Sequence, residues 1–147
     1  MKINMIDVSA KESIPRTATA EGRIVLKSNT LEKIKNNQIK KGDPLIVAEI
    51  AAINAVKETP RIIPLCHQIP ISGIETNFEI NDDSITARVT VKAVAKTGAE
   101  MEAIVGVNTA LTTIWDMVKY LEKNENGQYP HTLIEKVRVV KKTKNEP

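Results

Sequence analysis

SGIETNFEINDDSITARVTVKAVAK, residues 72–96, alternates apolar and polar side chains on both sides of a polar break at Asn81, Asp82, Asp83 and Ser84. A period of two sends successive side chains to opposite faces of a strand, and Asn and Asp suit a tight reversal. The stretch therefore predicts a β-hairpin with strands over 72–81 and 84–96. The period then changes. From about Gly98 to Lys123, residues Ile104, Val107, Leu111, Ile114, Val118 and Leu121 recur at steps of 3, 4, 3, 4 and 3, the spacing of a long helix with one apolar stripe turned to a core.

Working upstream, AEGRIVLK (20–27) places Ile24 and Leu26 on one face of a first strand, and SNTLEKIKNNQI (28–39) reads as a short helix capped by Ser or Asn. In KKGDPLIVAEIAAINAVKETP (40–60), Asp43 is a ready N-cap and Pro44 fits the first helical position, where a missing N–H costs nothing. Pro60 is expected to close that helix. Its stripe of Ile46, Ile50 and Ile53, flanked by Leu45, Ala48, Ala52 and Ala55, predicts a largely buried element. Downstream, TLIEKVRVVKK (132–142) reads as a last strand. The order strand, helices, two strands, helix, strand implies an α+β fold: a ferredoxin-like antiparallel sheet with helices packed on one face. No repeat or linker divides the chain, so residues 1–147 are read as one domain, with an irregular arm over 1–15 and a flexible tail over 143–147.

At 147 residues such a domain buries about 70% of the surface its unfolded chain exposes. Only 3% of residues are aromatic against 41% hydrophobic, so the core must be aliphatic. The 21 basic and 18 acidic residues are interspersed, apart from the basic run KVRVVKKTK at 136–144. That run is read as a solvated edge or as an attraction for phosphate or RNA. One cysteine allows no intramolecular disulfide, in keeping with a reducing, cytoplasmic setting. MKINMIDVSAKE lacks a long apolar run and is read as neither signal nor membrane anchor.

The long helix carries a second pattern that its apolar stripe does not require. At 100° per residue, Glu102, Gly106, Thr109, Thr113, Asp116 and Tyr120 fall within about 80° of one another on the opposite face. Glu102 and Asp116 are separated by about 21 Å along that helix, too far for one small ligand. Two copies crossing antiparallel near Thr109 would bring Glu102 of one beside Asp116 of the other, a composite site in a two-fold dimer. An ordinary solvated face explains the same pattern. Lys119, one turn after Asp116, is either a surface ion pair or an ammonium held for chemistry. Lys41 stands at a helix N-terminus, where backbone N–H groups attract anions. Cys66 and His67 lie between Pro64 and Pro70 in a loop, with no second cysteine or nearby histidine at zinc spacing. They are either a buried thiol and a satisfied histidine or the wall of a pocket. His131 is read as structural, and neither a metal nor an organic cofactor is assigned.

Several segments in order, MIDVSAKESIPRTATAEG, KKGDP, IIPLCHQIP and KTGAEMEAIVGVNTALTTIWDMVK, together resemble the MoaC family of cyclic pyranopterin monophosphate synthases over about residues 5–123. The resemblance implies a lyase of molybdenum cofactor biosynthesis that converts 3′,8-cyclized dihydro-GTP to cyclic pyranopterin monophosphate with release of pyrophosphate. It also implies a ferredoxin-like subunit in a hexamer of three dimers, with active sites at subunit interfaces. By the same resemblance Asp116, Lys119 and Lys41 are catalytic. Leu65, Cys66, His67, Met101, Glu102, Glu100 and Arg16 bind a nucleotide-derived substrate. Where relatives carry a Gly- and Lys-rich ending this chain has VVKKTKNEP, and the role of Lys141, Lys142 and Lys144 stays open.

Two other classes compete. A nucleic-acid-binding module suits the sheet plan and a pI near 9.0, but Phe78, Trp115, Tyr120 and Tyr129 form no paired stacking platform for bases. A regulatory small-molecule-binding domain would use the same pocket without reactive lysines.

Overall fold

The computed structural model describes residues 1–144. Its elements run β1 (Ile14–Val25), α1 (Ser28–Lys35), α2 (Pro44–Ile62), β2 (Ile71–Ile80), β3 (Ser84–Ala95), α3 (Glu100–Glu122) and β4 (Leu133–Lys144). The four strands form one antiparallel sheet in the order β2-β3-β1-β4, and α2 and α3 pack on one face of it. This is the α+β, ferredoxin-like plan expected from the hairpin and the long helix. The polar face of the sheet is cross-linked between strands. Thr19 meets Thr90 at 2.8 Å, Glu21 accepts from Arg88 at 2.7 Å and from Arg138 at 3.1 Å, and Arg23 pairs with Glu135.

On the helix side β1 presents Ala18, Ala20 and Gly22 before its first large residue, Ile24, and all four are buried. Small side chains let α3 come close. A Cβ added at Gly22 would lie 2.8 Å from Val137 Cγ2, 3.0 Å from Val107 Cγ1 and 3.1 Å from Leu111 Cδ1. On α3 itself Val107, Leu111, Ile114 and Val118 of the expected stripe are buried, while Ile104 and Leu121 lie at its margins.

Boundaries differ from the sequence reading where tertiary contacts extend or truncate an element. β1 starts at Ile14, six residues earlier than expected, because β3 and β4 pair with it along its length. α1 stops at Lys35, followed by Asn37 with φ at 55°. Its N-terminus has no Ser or Asn side-chain cap. The buried carboxylate of Glu122, at the end of α3, instead accepts from the Lys27 N–H (3.2 Å) and from the hydroxyls of Thr30 and Thr132. Pro60 sits inside the last turn of α2, which continues to Ile62. β4 runs to Lys144, so Thr143 and Lys144 of the expected tail belong to the sheet, and residues 145–147 lie outside the described residues.

The face of α2 is the main correction. Ala48, Ala52, Ala55 and Val56 are the buried residues, whereas Ile46 and Ile50 are 60% and 55% exposed. Apolar side chains nearly surround this helix, so periodicity alone left its orientation open. The small-residue face wins because it lets α2 lie close to α3. Gly106 marks that approach: a Cβ there would stand 2.9 Å from Val56 Cγ2 and 3.2 Å from Val89 Cγ1. Gly106 is therefore buried in the core and does not belong to an outward track.

Alanine normally stabilises a helix interior by about 1 kcal/mol over glycine, but at Gly106 the branched Val56 and Val89 block the added methyl. Overpacking of that kind costs about 1–3 kcal/mol. Gly106→Ala should thus lower the free energy of urea unfolding, and an increase would show that the contact is looser than described.

Candidate active site

Asp43 fixes the start of α2 through its Oδ1, which accepts the N–H groups of Leu45 (2.9 Å) and Ile46 (3.4 Å), with Pro44 at the first helical position. That cap ends the 36–43 connection and sets Lys41 against the last third of α3. Lys41 Nζ lies 3.0 Å from Asp116 Oδ2 and 3.2 Å from the Asp116 carbonyl, and Lys119 Nζ lies 3.1 Å from Asp116 Oδ1. One carboxylate holds two ammonium groups on separate oxygens. Hydrogen bonds from Lys41 and then Lys119 keep the Asp116 carboxyl below its ordinary range, so it stays ionised. All three side chains are about half exposed. In water such pairs contribute little stability, and their consequence is placement.

The first turn of α3 carries a contrasting cluster. Glu102 is 1% exposed and its Oε1 has no hydrogen-bond partner, while its Oε2 is 3.9 Å from Cys66 Sγ. Burial pushes the Glu102 carboxyl up, and the neighbouring Glu100 adds to the shift. Burial also raises the Cys66 thiol, reinforced by Glu102 and Glu100. The thiol therefore stays protonated and acts as a weak donor, with no thiolate available to attack a substrate. His67 Nε2 is 2.5 Å from the carbonyl of Ile6 in the N-terminal arm. A carbonyl only accepts, so that nitrogen carries the proton.

Beside Glu100 and Glu102 the sheet supplies cations. Register sets Arg16 opposite Lys144 and Ala18 opposite Lys142. Arg16, Lys142 and Lys144 then share a cavity of about 160 Å³ with Thr17, Gly98, Ala99 and Thr143. Arg16 is aimed by the carbonyls of Ala95 (3.0 Å) and Lys96 (3.2 Å). Lys142 Nζ is 3.4 Å from Glu100 Oε2, within ion-pair range yet not aligned as a hydrogen bond. The helix N-terminus adds positive potential to this end.

Of the residues expected to act, Lys41, Asp116 and Lys119 thus meet at one end of α3, and Cys66, Glu102 and Glu100 meet at the other, with Arg16 and His67 near by. Leu65 and Met101 are exposed beside the second cluster. The two clusters do not meet within one chain. They stand about 21 Å apart along the helix, joined by an open polar strip of Asn108, Thr109, Thr112 and Thr113. Thr109 and Thr113 belong to this strip as expected, whereas Gly106 and Glu102 are buried. Lys142 and Lys144 were left without a role by sequence reasoning. A register shift opposite Thr19 and Ala20 inserts Val140 into β4 and reverses its parity, so that Lys142 stands on the helix side. Among the described residues no group of three or more His, Cys, Asp or Glu side chains is placed to hold a metal ion.

The buried Glu102 has a consequence for stability. Its folded-state pKa lies above the ordinary 4.5, so the folded protein holds that proton more tightly than the unfolded chain does. Stability is then lost as pH rises from 4.5 through the raised value. Glu102→Gln should gain on the parent protein by about 1 kcal/mol or more between pH 4 and pH 7, the scale of one stranded polar oxygen. Denaturant unfolding across that range checks it, and parallel pH profiles would contradict it.

The chain is similar to known proteins along nearly all of its length. The family model described as the MoaC family matches residues 5–145. A protein of Methanothermobacter thermautotrophicus named as a probable cyclic pyranopterin monophosphate synthase accessory protein is 54% identical over 98% of this chain and 91% of its own. A probable cyclic pyranopterin monophosphate synthase of Thermococcus kodakarensis is 54% identical over 98% of this chain and 92% of its own. One of the same name from Methanosarcina mazei is 51% identical over 99% and 92%. With a family model covering both clusters and relatives aligned end to end, this chain belongs to the MoaC family.

Proposed function

We propose that this protein is the lyase of molybdenum cofactor biosynthesis that converts 3′,8-cyclized dihydro-GTP to cyclic pyranopterin monophosphate and releases pyrophosphate. The observation that carries the reading is the pair of ammonium groups, Lys41 and Lys119, on the two oxygens of Asp116. Opening the purine-derived ring and reclosing it as a pterin moves protons between nitrogen, carbon and oxygen with no net oxidation. Amines held beside a reacting group serve as base and then as acid, and Asp116 keeps both on station. Forming the cyclic phosphate makes a P–O bond at the α-phosphorus and breaks the bond to the bridging oxygen. The electron pair leaves with pyrophosphate.

That leaving charge needs cations, and Arg16, Lys142 and Lys144 around one cavity suit it. His67 and the Cys66 thiol line the same end as weak donors. Glu102, buried with one oxygen free, is matched to an N–H group of the guanine-derived ring. Leu65 and Met101 supply apolar contact.

Because the proton-transfer and the phosphate-binding residues stand at opposite ends of α3, each site is composite. Two α3 helices crossing antiparallel in a dimer join one end of each, and three such dimers make a hexamer. Ile46 and Ile50, large apolar residues left on the outside of α2, are the kind of surface that assembly removes from water. The reading places the enzyme in the cytoplasm. No helix among the described residues is long and apolar enough to cross a membrane.

Incubation with the cyclized dihydro-GTP intermediate, followed by detection of pyrophosphate and cyclic product, tests the function directly. Lys41→Ala and Lys119→Ala are each expected to lower kcat by roughly 10²–10⁴-fold, the range of a positioned acid or base, while retaining the parent's cooperative unfolding. Unchanged turnover in a folded variant would remove the proton-transfer role. Tight binding of the intermediate with no pyrophosphate would favour a regulatory binding domain.

A further inference from the structure

Lys41 lies in a connection without helix or strand, where Gly42 takes φ at +117° and has nothing within 4 Å of its added Cβ position. Its ammonium sits at the end of a flexible four-carbon stem, and its ion pair with Asp116 is half exposed. A contact at the tip alone, screened by water, holds such a side chain weakly. Something must also hold the backbone.

One turn beyond Asp116, on the same face of α3, Tyr120 does this. Its phenolic oxygen accepts the Lys40 N–H at 3.0 Å, and its ring lies under the Lys40 ammonium at 5.2 Å from the centroid. Asp116 and Tyr120, four residues apart on a helix, are neighbours on its surface. Together they take the Lys40–Lys41 dipeptide at two points, the first by the Lys41 side chain and the second by the peptide N–H before it. We propose that Tyr120 is a positioning residue for Lys41, holding the peptide from which Lys41 reaches Asp116 and Lys119. The proposal rests on the reading of Lys41 as a proton-transfer group. It concerns a residue to which sequence reasoning gave no role.

Tyr120→Phe keeps the ring under Lys40 and removes the acceptor, and Tyr129→Phe serves as a control, its ring meeting Trp115 edge-on at 5.2 Å. The loss of one net hydrogen bond corresponds to a change of about two- to tenfold. Amide hydrogen exchange at Lys40 should accelerate by that factor in Tyr120→Phe and stay at the parent rate in Tyr129→Phe. Turnover of the cyclized intermediate should show kcat reduced by about two- to tenfold with KM within about twofold, while unfolding stays cooperative. Exchange at Lys40 unaltered in Tyr120→Phe overturns the proposal, as does full kcat in an active enzyme whose Lys40 exchange has accelerated. If the parent protein releases no pyrophosphate, the functional reading fails, and the exchange rates still decide whether Tyr120 holds the loop.

Discussion

Close packing of one helix against small side chains is the constraint on which the rest of this molecule depends. α3 rests on Ala18, Ala20 and Gly22 of β1 and meets α2 across Gly106, and at both glycines an added methyl would fall inside van der Waals contact. Interiors packed to this density transmit position along an element. A helix of 23 residues, seated in this way, keeps Glu102 and Asp116 at a separation of about 21 Å. Each end is then met by a different part of the chain: the 36–43 connection at one, the 63–67 loop and the ends of β1 and β4 at the other.

The two ends solve opposite electrostatic problems. Around Asp116 two ammonium groups share one carboxylate, which leaves a net positive charge in water, where such ion pairs form and rearrange at little cost. Around Glu102 a carboxyl group is buried with one oxygen unpaired and the Cys66 thiol 3.9 Å from the other, a cost to the folded chain. Within one chain the two clusters stay apart: one holds Lys41 and Lys119 on Asp116, the other has a cationic cavity lined by Arg16, Lys142 and Lys144. In the proposed two-fold assembly one subunit contributes the first cluster and its partner the second.

Much of this was legible in the residues. The period-two hairpin, the stripe on α3 and the Asp43–Pro44 start of α2 each follow from local chemistry, and each stands close to where the pattern placed it. The placing of Glu102 and Asp116 on one helix was also readable, but not their facing: Asp116 is exposed as expected, whereas Glu102 is buried. What escaped has physical reasons. α2 is apolar nearly all round, and only the need for close approach selects Ala48 and Ala52 over Ile46 and Ile50. Gly106 looked like part of an outward track because a glycine is equally suited to a helix–helix contact inside the subunit. Lys142 was hidden by the bulge at Val140, since a single inserted residue reverses the facing of every side chain beyond it. The backbone contact from Tyr120 to Lys40 joins residues 80 positions apart and leaves no mark on local periodicity.

The most direct test of a shared site is subunit complementation. Asp116→Asn disables one end of α3 and Glu102→Gln the other, and each variant alone should be nearly inactive. If sites form between two copies, subunits exchanged at random between the two variants give mixed dimers in which one site carries both substitutions and the other carries neither. Activity should return to about one quarter of the parent value. Two inactive variants that stay inactive after demonstrated subunit exchange would mean that each chain completes its own site, and the composite account would be wrong.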